Sequence, residues 1–387
     1  MTTISDLVVN NPNMLVRVDT HANAREIWTG FSAGSLQTQP YFCEFELAGK
    51  VSRAGKKQWT AFSEMQWSNE NCFPGHVELT SEGVRLSAKN GQDFSSNSLS
   101  LSYTFGEKSD VSFELSFLLP DWVKAEKFSK GQLRFDIDWR QNPRQLKKAD
   151  WQESFFIRTE PSVTPRKNEQ GNWVWDFSGV KSVVFIYETP VQKTTIKTDD
   201  RFLELKTDNP KLDKTFLACL ETVRTNQFAS GVILADLFHY RDAWLRDGTY
   251  AMMGLALAGG HDAWGRFVDF WVRKGGFSVG GEREAQQPAI FMTGLWYASQ
   301  FLRDGATGTA REKWDYFEQF GDYYERRVNE HGGMIPTAEE WICFVPALSS
   351  WPNSEIYSGL MTASKTAQCL GKTDKAQRWS AAAQKLQ

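Results

Sequence analysis

The hydrophobic period of this chain changes once, and that change restricts the fold to two regions of different class. Through about the first 200 residues apolar and polar side chains alternate. Examples are Leu15-Val16-Arg17-Val18, His76-Val77-Glu78-Leu79, Val111-Ser112-Phe113-Glu114-Leu115, Leu133-Arg134-Phe135-Asp136-Ile137-Asp138 and Val183-Val184-Phe185-Ile186-Tyr187. Successive side chains of a strand point to opposite faces, so this pattern predicts β-strands. Asn90-Gly91, Gly106-Glu107-Lys108 and Glu169-Gln170-Gly171-Asn172 are the expected turns between them. Many strands with few helices imply an antiparallel β-sandwich. No fixed repeat accompanies them, which argues against a propeller.

The period switches after Thr207-Asp208-Asn209-Pro210. From there apolar residues recur every three or four positions, the helical spacing. Leu212, Phe216, Leu220 and Val223 share one helix face, with Asp213 near its start. Further helices are expected over 242–258, 262–273, 310–328, 353–370 and 375–386, with another opening near Pro288 and carrying Phe291, Leu295 and Phe301. Pro288 suits a first helical turn, and Gly371 suits a helix stop. The expected organisation is therefore multidomain β + α, with an N-terminal β-sandwich over 1–207 and a helical domain over 208–387.

Composition narrows the function classes. At 24% charged and 41% hydrophobic residues the chain is globular. Its net charge of −3, without a Lys/Arg block, leaves no basic face for nucleic acid. No apolar run approaches the ~18 residues of a membrane helix, so no membrane partner is expected. The opening MTTISDLVVNNPNM lacks the basic and apolar regions of a signal peptide, so a cytoplasmic location is expected. Cys43, Cys72, Cys219, Cys343 and Cys369 are scattered and form no CxxC pair, so neither disulfides nor zinc are expected. HExxH, P-loop, GxGxxG and GxSxG patterns are all missing, and no metal or organic cofactor is expected. The 16 Trp divide evenly, eight before Asp208 and eight after, so most belong to cores. Trp244, Trp341 and Trp351 lie where a flat sugar face can stack on them.

The helical region alternates plain and elaborate joints. Gly259-Gly260-His261 and Asp304-Gly305-Ala306-Thr307-Gly308 are short, whereas 229–242, 275–287 and 331–352 are long and rich in polar and aromatic residues. If the helices pair as hairpins around a ring, alternate loops fall on one rim, and loops of this length are usually functional. The first holds His239-Tyr240-Arg241-Asp242-Ala243-Trp244-Leu245-Arg246-Asp247-Gly248. Arg presents a planar donor fork and Asp accepts donors in pairs, which suits adjacent hydroxyls of a sugar. The plain alternative is helix capping by Asp242 or Asp247. The second loop ends in Glu282-Arg283-Glu284-Ala285-Gln286-Gln287-Pro288, in which Gln287 stands just before a helix and the charges suit a solvated face equally well. The third carries Glu339-Glu340-Trp341. A carboxylate beside Trp341, Ile342 and Phe344, and beside a second carboxylate, is pushed up towards neutrality and becomes a general acid; an exposed Glu pair is the alternative.

These residues resemble a known family. Leu212-Asp213, Arg224-Thr225-Asn226-Gln227, Ser230-Gly231, the run from Tyr240 to Gly248, and Ala256-Leu257-Ala258-Gly259-Gly260 are similar to the opening of the glucoamylase-like glycoside hydrolases. The resemblance covers about 175 residues, on the scale of one domain. It implies an (α/α)6 toroid of six helical hairpins behind a β-sandwich. Trp244-Leu245-Arg246-Asp247 matches the family's Trp-x-Arg-Asp signature, whose Arg and Asp hold the non-reducing sugar. Tyr240, Gln287 and Trp341 are further implied substrate contacts. Glu339 becomes the general acid and Glu340 a substrate ligand. The family places Trp before the pair, whereas here Ala338 precedes it and Trp341 follows, so the reverse assignment stays open. The implied reaction is inverting hydrolysis of an oligo- or polysaccharide, α-glucan first, with acid and base ~6.5–9.5 Å apart. Seven helices against the toroid's twelve make the ring apparently incomplete at the C-terminus, and the base is expected beyond Gln387. Two alternatives remain: a polysaccharide lyase using His239, Tyr240 or His331 as base, and a non-catalytic carbohydrate-binding protein.

Overall fold

The computed structural model describes residues 6–11, 14–29, 41–53, 58–68, 72, 75–89, 98–117, 123–138, 152–189, 200–235, 243–276, 285–302, 308, 311–339 and 343–387. The chain forms two compact units: 1–197 with 205–229, and 198–204 with 230–387.

Among the described residues the first unit is a network of thirteen strands. In chain order these are β1 (Asp6–Asn11), β2 (Met14–Asp19), β3 (Ala24–Thr29), β4 (Tyr41–Arg53), β5 (Thr60–Ala61), β6 (His76–Ser81), β7 (Val84–Lys89), β8 (Ser98–Phe117), β9 (Val123–Ser129), β10 (Gln132–Asp138), β11 (Gln152–Glu160), β12 (Arg166–Lys167) and β13 (Trp173–Glu188). They pair antiparallel, mainly in the order β1-β2-β3-β4-β8-β13-β11-β10-β9. The long strands β8 and β13 each serve two layers. Residues 98–105 of β8 pair with β7 and the end of β13, whereas 109–117 pair with β4 and the start of β13.

Ring contacts show that these strands fold over. Tyr103 and Phe113 lie ten residues apart on β8, yet their centroids are 4.9 Å apart. Trp175 and Phe185 on β13 are 5.7 Å apart. Ten extended residues span about 33 Å, so each strand must bend and face itself across a core. The bend corrects one expectation. Gly106-Glu107-Lys108, expected as a turn, lies inside β8. The chain rounds a corner there without leaving the sheet, with the Gly106 N–H donating to Gly83 O at 2.8 Å. Asn90-Gly91 lies outside the described residues. The Gly171 turn forms, closed by its N–H on Asn168 O.

Alternation then fills the core. Leu99, Leu101, Tyr103 and Phe105 are buried while Ser100 and Thr104 face water. Two buried polar groups here are matched, and an unpaired one costs about 1–3 kcal/mol. Glu26 accepts from Trp28 Nε1 at 2.8 Å and pairs with Arg17 at 3.1 Å. The Tyr103 hydroxyl donates to Ala22 O at 2.8 Å, and burial pushes its phenol above the ordinary range. Helix α1 (Pro210–Thr225) belongs to this unit, capped by the Asn209 side chain on Lys211 N. Of its expected apolar face Leu220 is buried, but Leu212 is 49% exposed.

The second unit holds α2 (Leu245–Leu257), α3 (His261–Lys274), α4 (Gln287–Ser299), α5 (Trp314–His331), α6 (Ser350–Cys369) and α7 (Thr373–Gln384), with a hairpin of β14 (Thr337–Glu339) and β15 (Cys343–Ala347). Of the helix expected from about residue 310, residues 311–312 are helical and the long continuous run starts at Trp314. α4 is apolar on all sides, the signature of a buried helix, and it packs between α2 and α6. α3 packs on α2, while α5 and α7 pack on α6 and on each other. Small residues let α4 approach both neighbours. A Cβ on Gly294 would stand 2.4 Å from Thr249 Cγ2. A Cβ on Gly359 of α6 would stand 2.6 Å from Ala289 Cβ and 2.7 Å from its Cα.

Two glycine substitutions therefore have opposite signs. In an open helix position Gly→Ala gains about 1 kcal/mol. Gly265 has nothing within 4 Å, so Gly265→Ala raises the thermal midpoint. At Gly359 the obstruction includes backbone that cannot yield, and overpacking at about 1–3 kcal/mol outweighs the gain. Gly359→Ala lowers the midpoint in thermal unfolding followed by circular dichroism.

Candidate active site

Helix α2 begins without a side-chain cap. Trp244 occupies the cap position in extended conformation, with no side-chain cap bond, and Asp247 lies in the first turn; Asp242 lies outside the described residues. The polar residues of the first turn do something else. Arg246 Nε donates to Asp247 Oδ1 at 2.9 Å, with the Arg side chain 19% and the Asp 40% exposed. A half-exposed pair of this kind contributes only about 0–1 kcal/mol, so stability does not explain it. The Arg246 guanidinium also lies 5.5 Å from the centroid of Trp351, the second residue of α6 and well exposed.

One turn further along both helices comes a second cross-contact. The Tyr250 hydroxyl donates to Glu355 Oε1 at 3.0 Å. Partial burial first, and the Glu355 carboxylate second, push the Tyr250 phenol up to about 12. It therefore stays a donor at neutral pH. Both contacts advance by four residues in the same sense, so α2 and α6 run parallel and begin on one side. The starts of α2 and α6, which follow the first and third elaborate loops in sequence, thus lie side by side. Arg246, Asp247 and Trp351 combine a donor fork, paired acceptors and an aromatic face, the chemistry that recognises hydroxyls on a flat ring.

The hairpin carrying the candidate acid is held to the same end of α6. Asn353 is 3% exposed, and its side chain is fully engaged. Oδ1 accepts from Ile335 N at 2.8 Å, while Nδ2 donates to Ile335 O and to Ser349 O. One amide thereby ties the strand entering the hairpin to the segment leaving it. Glu339 ends β14 and pairs with Cys343. Glu340, Trp341 and Tyr240 lie outside the described residues, as do His239 and the side chain of Glu339. Gln287 opens α4 and is buried, and the neighbouring Gln286 is buried with its amide oxygen unpaired. His331, a candidate base in the lyase alternative, is exposed at the end of α5. Tyr250 and Glu355 were not singled out by the sequence. Their signal was helical spacing, four residues beyond Arg246 and Trp351 respectively. Among the described residues no group of His, Cys, Asp and Glu side chains converges to hold a metal ion, and no helix is long and apolar enough to cross a membrane.

No protein-family model matches the chain, and no curated protein does. Solved structures do. A bacterial glucoamylase complexed with acarbose aligns with a TM-score of 0.59 at 10% identity, over 97% of this chain and 65% of that one. An alpha-L-rhamnosidase from Dictyoglumus thermophilum aligns with a TM-score of 0.39 at 11% identity, over 96% of this chain and 62% of that one. This chain thus spans less than two thirds of the length of either neighbour. Both neighbours are glycoside hydrolases, and at this identity the likeness to the glucoamylase is one of fold.

The arrangement separates a buried tether, Asn353, from partly exposed contacts. Asn353→Ala leaves an N–H and two carbonyls short of partners and lowers stability by about 2 kcal/mol or more. Tyr250→Phe, at an exposed contact, costs less than about 1 kcal/mol at neutral pH. Because the folded chain keeps the Tyr250 proton that the unfolded chain releases near 10, that contribution to stability falls as pH rises from about 10 to about 12. Over that window urea unfolding shows a smaller loss in Tyr250→Phe than in the parent.

Proposed function

We propose that this chain belongs to a glycoside hydrolase that cleaves an oligo- or polysaccharide, an α-glucan being the first candidate, by inversion. The observation that carries the reading is the pair of cross-helix contacts, Arg246 to Trp351 and Tyr250 to Glu355. They bring the Arg-Asp turn of α2 beside the start of α6, the helix that follows the Glu-Glu loop in sequence, in a fold like that of a bacterial glucoamylase. In this reading α2 to α7 form part of an (α/α)6 ring, with α4 among its inner helices.

Arg246 and Asp247 grip adjacent hydroxyls of the terminal sugar, and Trp351 and Trp244 offer ring faces to it. Tyr240, Gln287 and Trp341 complete the substrate contacts. One of Glu339 and Glu340, Glu339 first, protonates the glycosidic oxygen as the C–O bond breaks, and the other holds a sugar hydroxyl. Water attacks the anomeric carbon from the opposite face and gives its proton to a base outside the residues named here. No cofactor or metal takes part.

The test is a digest of maltooligosaccharides, with sugar release and anomeric configuration followed by proton NMR. The parent should release a sugar of inverted configuration. Glu339→Gln or Glu340→Gln should lower kcat by about 10²–10⁴-fold, the usual worth of a general acid. Arg246→Ala should lower kcat/KM by about tenfold or more. Parent-like turnover in both Glu variants would overturn the assignment. An unsaturated product absorbing in the ultraviolet would establish a lyase instead, and calorimetric binding without turnover a non-catalytic binder.

A further inference from the structure

The strand unit carries a groove that the helical site does not use. It lies where β8 rounds its corner, and its volume is about 860 Å³. That is within the ~300–1,000 Å³ range of ligand pockets and far above the needs of one ion. Gln58, Gln66, Glu64, Glu82 and Glu107 line it, with serine and threonine hydroxyls among them, and no described lysine or arginine does. The carboxylates are spread along the groove: among the described residues no group of acidic, histidine and cysteine side chains gathers as a cation cage.

This chemistry selects its ligand. Three carboxylates, with no cation among the described lining residues, repel phosphates and other anions. Val51, Met65 and Val84 are the apolar members of a mostly polar lining, too few to bury an apolar chain. Carboxylates and hydroxyls accept, and amides and hydroxyls donate, so the match is an uncharged molecule with many hydroxyls along its length. Trp59, between Gln58 and Thr60 in sequence, is 42% exposed. Lys50 Nζ, 5.4 Å from its ring, steadies an indole of the kind that stacks on sugar faces. The wall is preorganised. Phe62 is fully buried, its carbonyl accepts from Trp67 Nε1 at 2.8 Å, and Glu64 accepts from Ala61 N at 3.2 Å. A fixed wall costs little entropy on binding.

We propose that this groove is a second, non-catalytic site for a neutral glycan chain. The choice of a glycan among neutral polyols rests on the glycosidase reading above; the location does not. Gln58, Gln66 and Glu82 are exposed, so their truncation leaves the fold intact.

The experiment is calorimetry with maltoheptaose, cellohexaose and xylohexaose, on the parent, on Gln58→Ala/Gln66→Ala/Glu82→Ala and on Arg246→Ala/Asp247→Asn. The expected result is that one of these glycans still binds the Arg246→Ala/Asp247→Asn protein. The groove triple should weaken binding at this second site about tenfold or more, with maltose turnover unchanged. Unchanged affinity in the groove triple overturns the proposal. So does a lack of binding to Arg246→Ala/Asp247→Asn, binding that a chelator abolishes, or binding that raised salt abolishes as it would for a basic ligand. If turnover persists while the groove fails, only the groove proposal falls; if turnover is missing but groove-dependent binding remains, only the glycosidase reading does.

Discussion

The candidate site depends on how closely α4 lies against α2 and α6. Two glycines set that approach: Gly294 beside Thr249 and Gly359 beside Ala289, each with no room for a further carbon. Larger residues would force the helices apart by more than the reach of the Tyr250–Glu355 hydrogen bond allows. The bond is 3.0 Å long, and hydrogen bonds weaken steeply beyond ordinary distances. The chemistry at the helix starts thus rests on van der Waals contact several residues deeper. α4 itself is held by the Tyr324 hydroxyl, which donates to Ala285 O and accepts from Ala289 N at 3.0 Å.

Charge in the second unit falls into partly exposed pairs and a few buried polar groups. Arg246, Asp247, Tyr250 and Glu355 make partly exposed contacts that stabilise the fold little. The ion pairs of α5 and α7, such as Lys375 with Asp322 and Arg378 with Glu325, are comparably exposed but tie one helix to its packed neighbour. By contrast, the buried amide of Asn353 orders two backbone segments at once and fixes the base of the hairpin. Asn353 is buried and saturated. Arg246, Asp247, Tyr250 and Glu355 are partly exposed at the starts of α2 and α6.

In the strand unit the same division runs along two long strands. β8 and β13 carry the aromatic core on their inner face, and their bends bring Phe113, Phe185 and Trp175 into edge-to-face contact. The corner that this bending creates is also where the polar groove opens. A single feature, a strand that turns without ending, supplies both the core and the surface concavity.

The amino-acid sequence by itself determined the classes of structure. Period-two alternation marked β2, β6, β8, β10 and β13, and helical spacing marked α1 to α7, because the side that must leave water is written in the order of residues. It also placed Arg246, Asp247, Glu339 and Gln287 in or beside the loops at helix starts, since loop length and residue type are local. It misread Gly106-Glu107-Lys108 as a turn, because a bend within a strand and a break between two strands share the same polar, glycine-containing signal. It passed over Tyr250 and Glu355, which look like ordinary surface residues until α2 and α6 are set parallel. Only the tertiary structure decided which helix faces meet, and therefore that Arg246 reaches Trp351 and Tyr250 reaches Glu355. The physical reason is that burial periodicity is a one-dimensional property of the chain, whereas a binding site is a coincidence of side chains about a hundred residues apart, fixed by packing that no local pattern encodes.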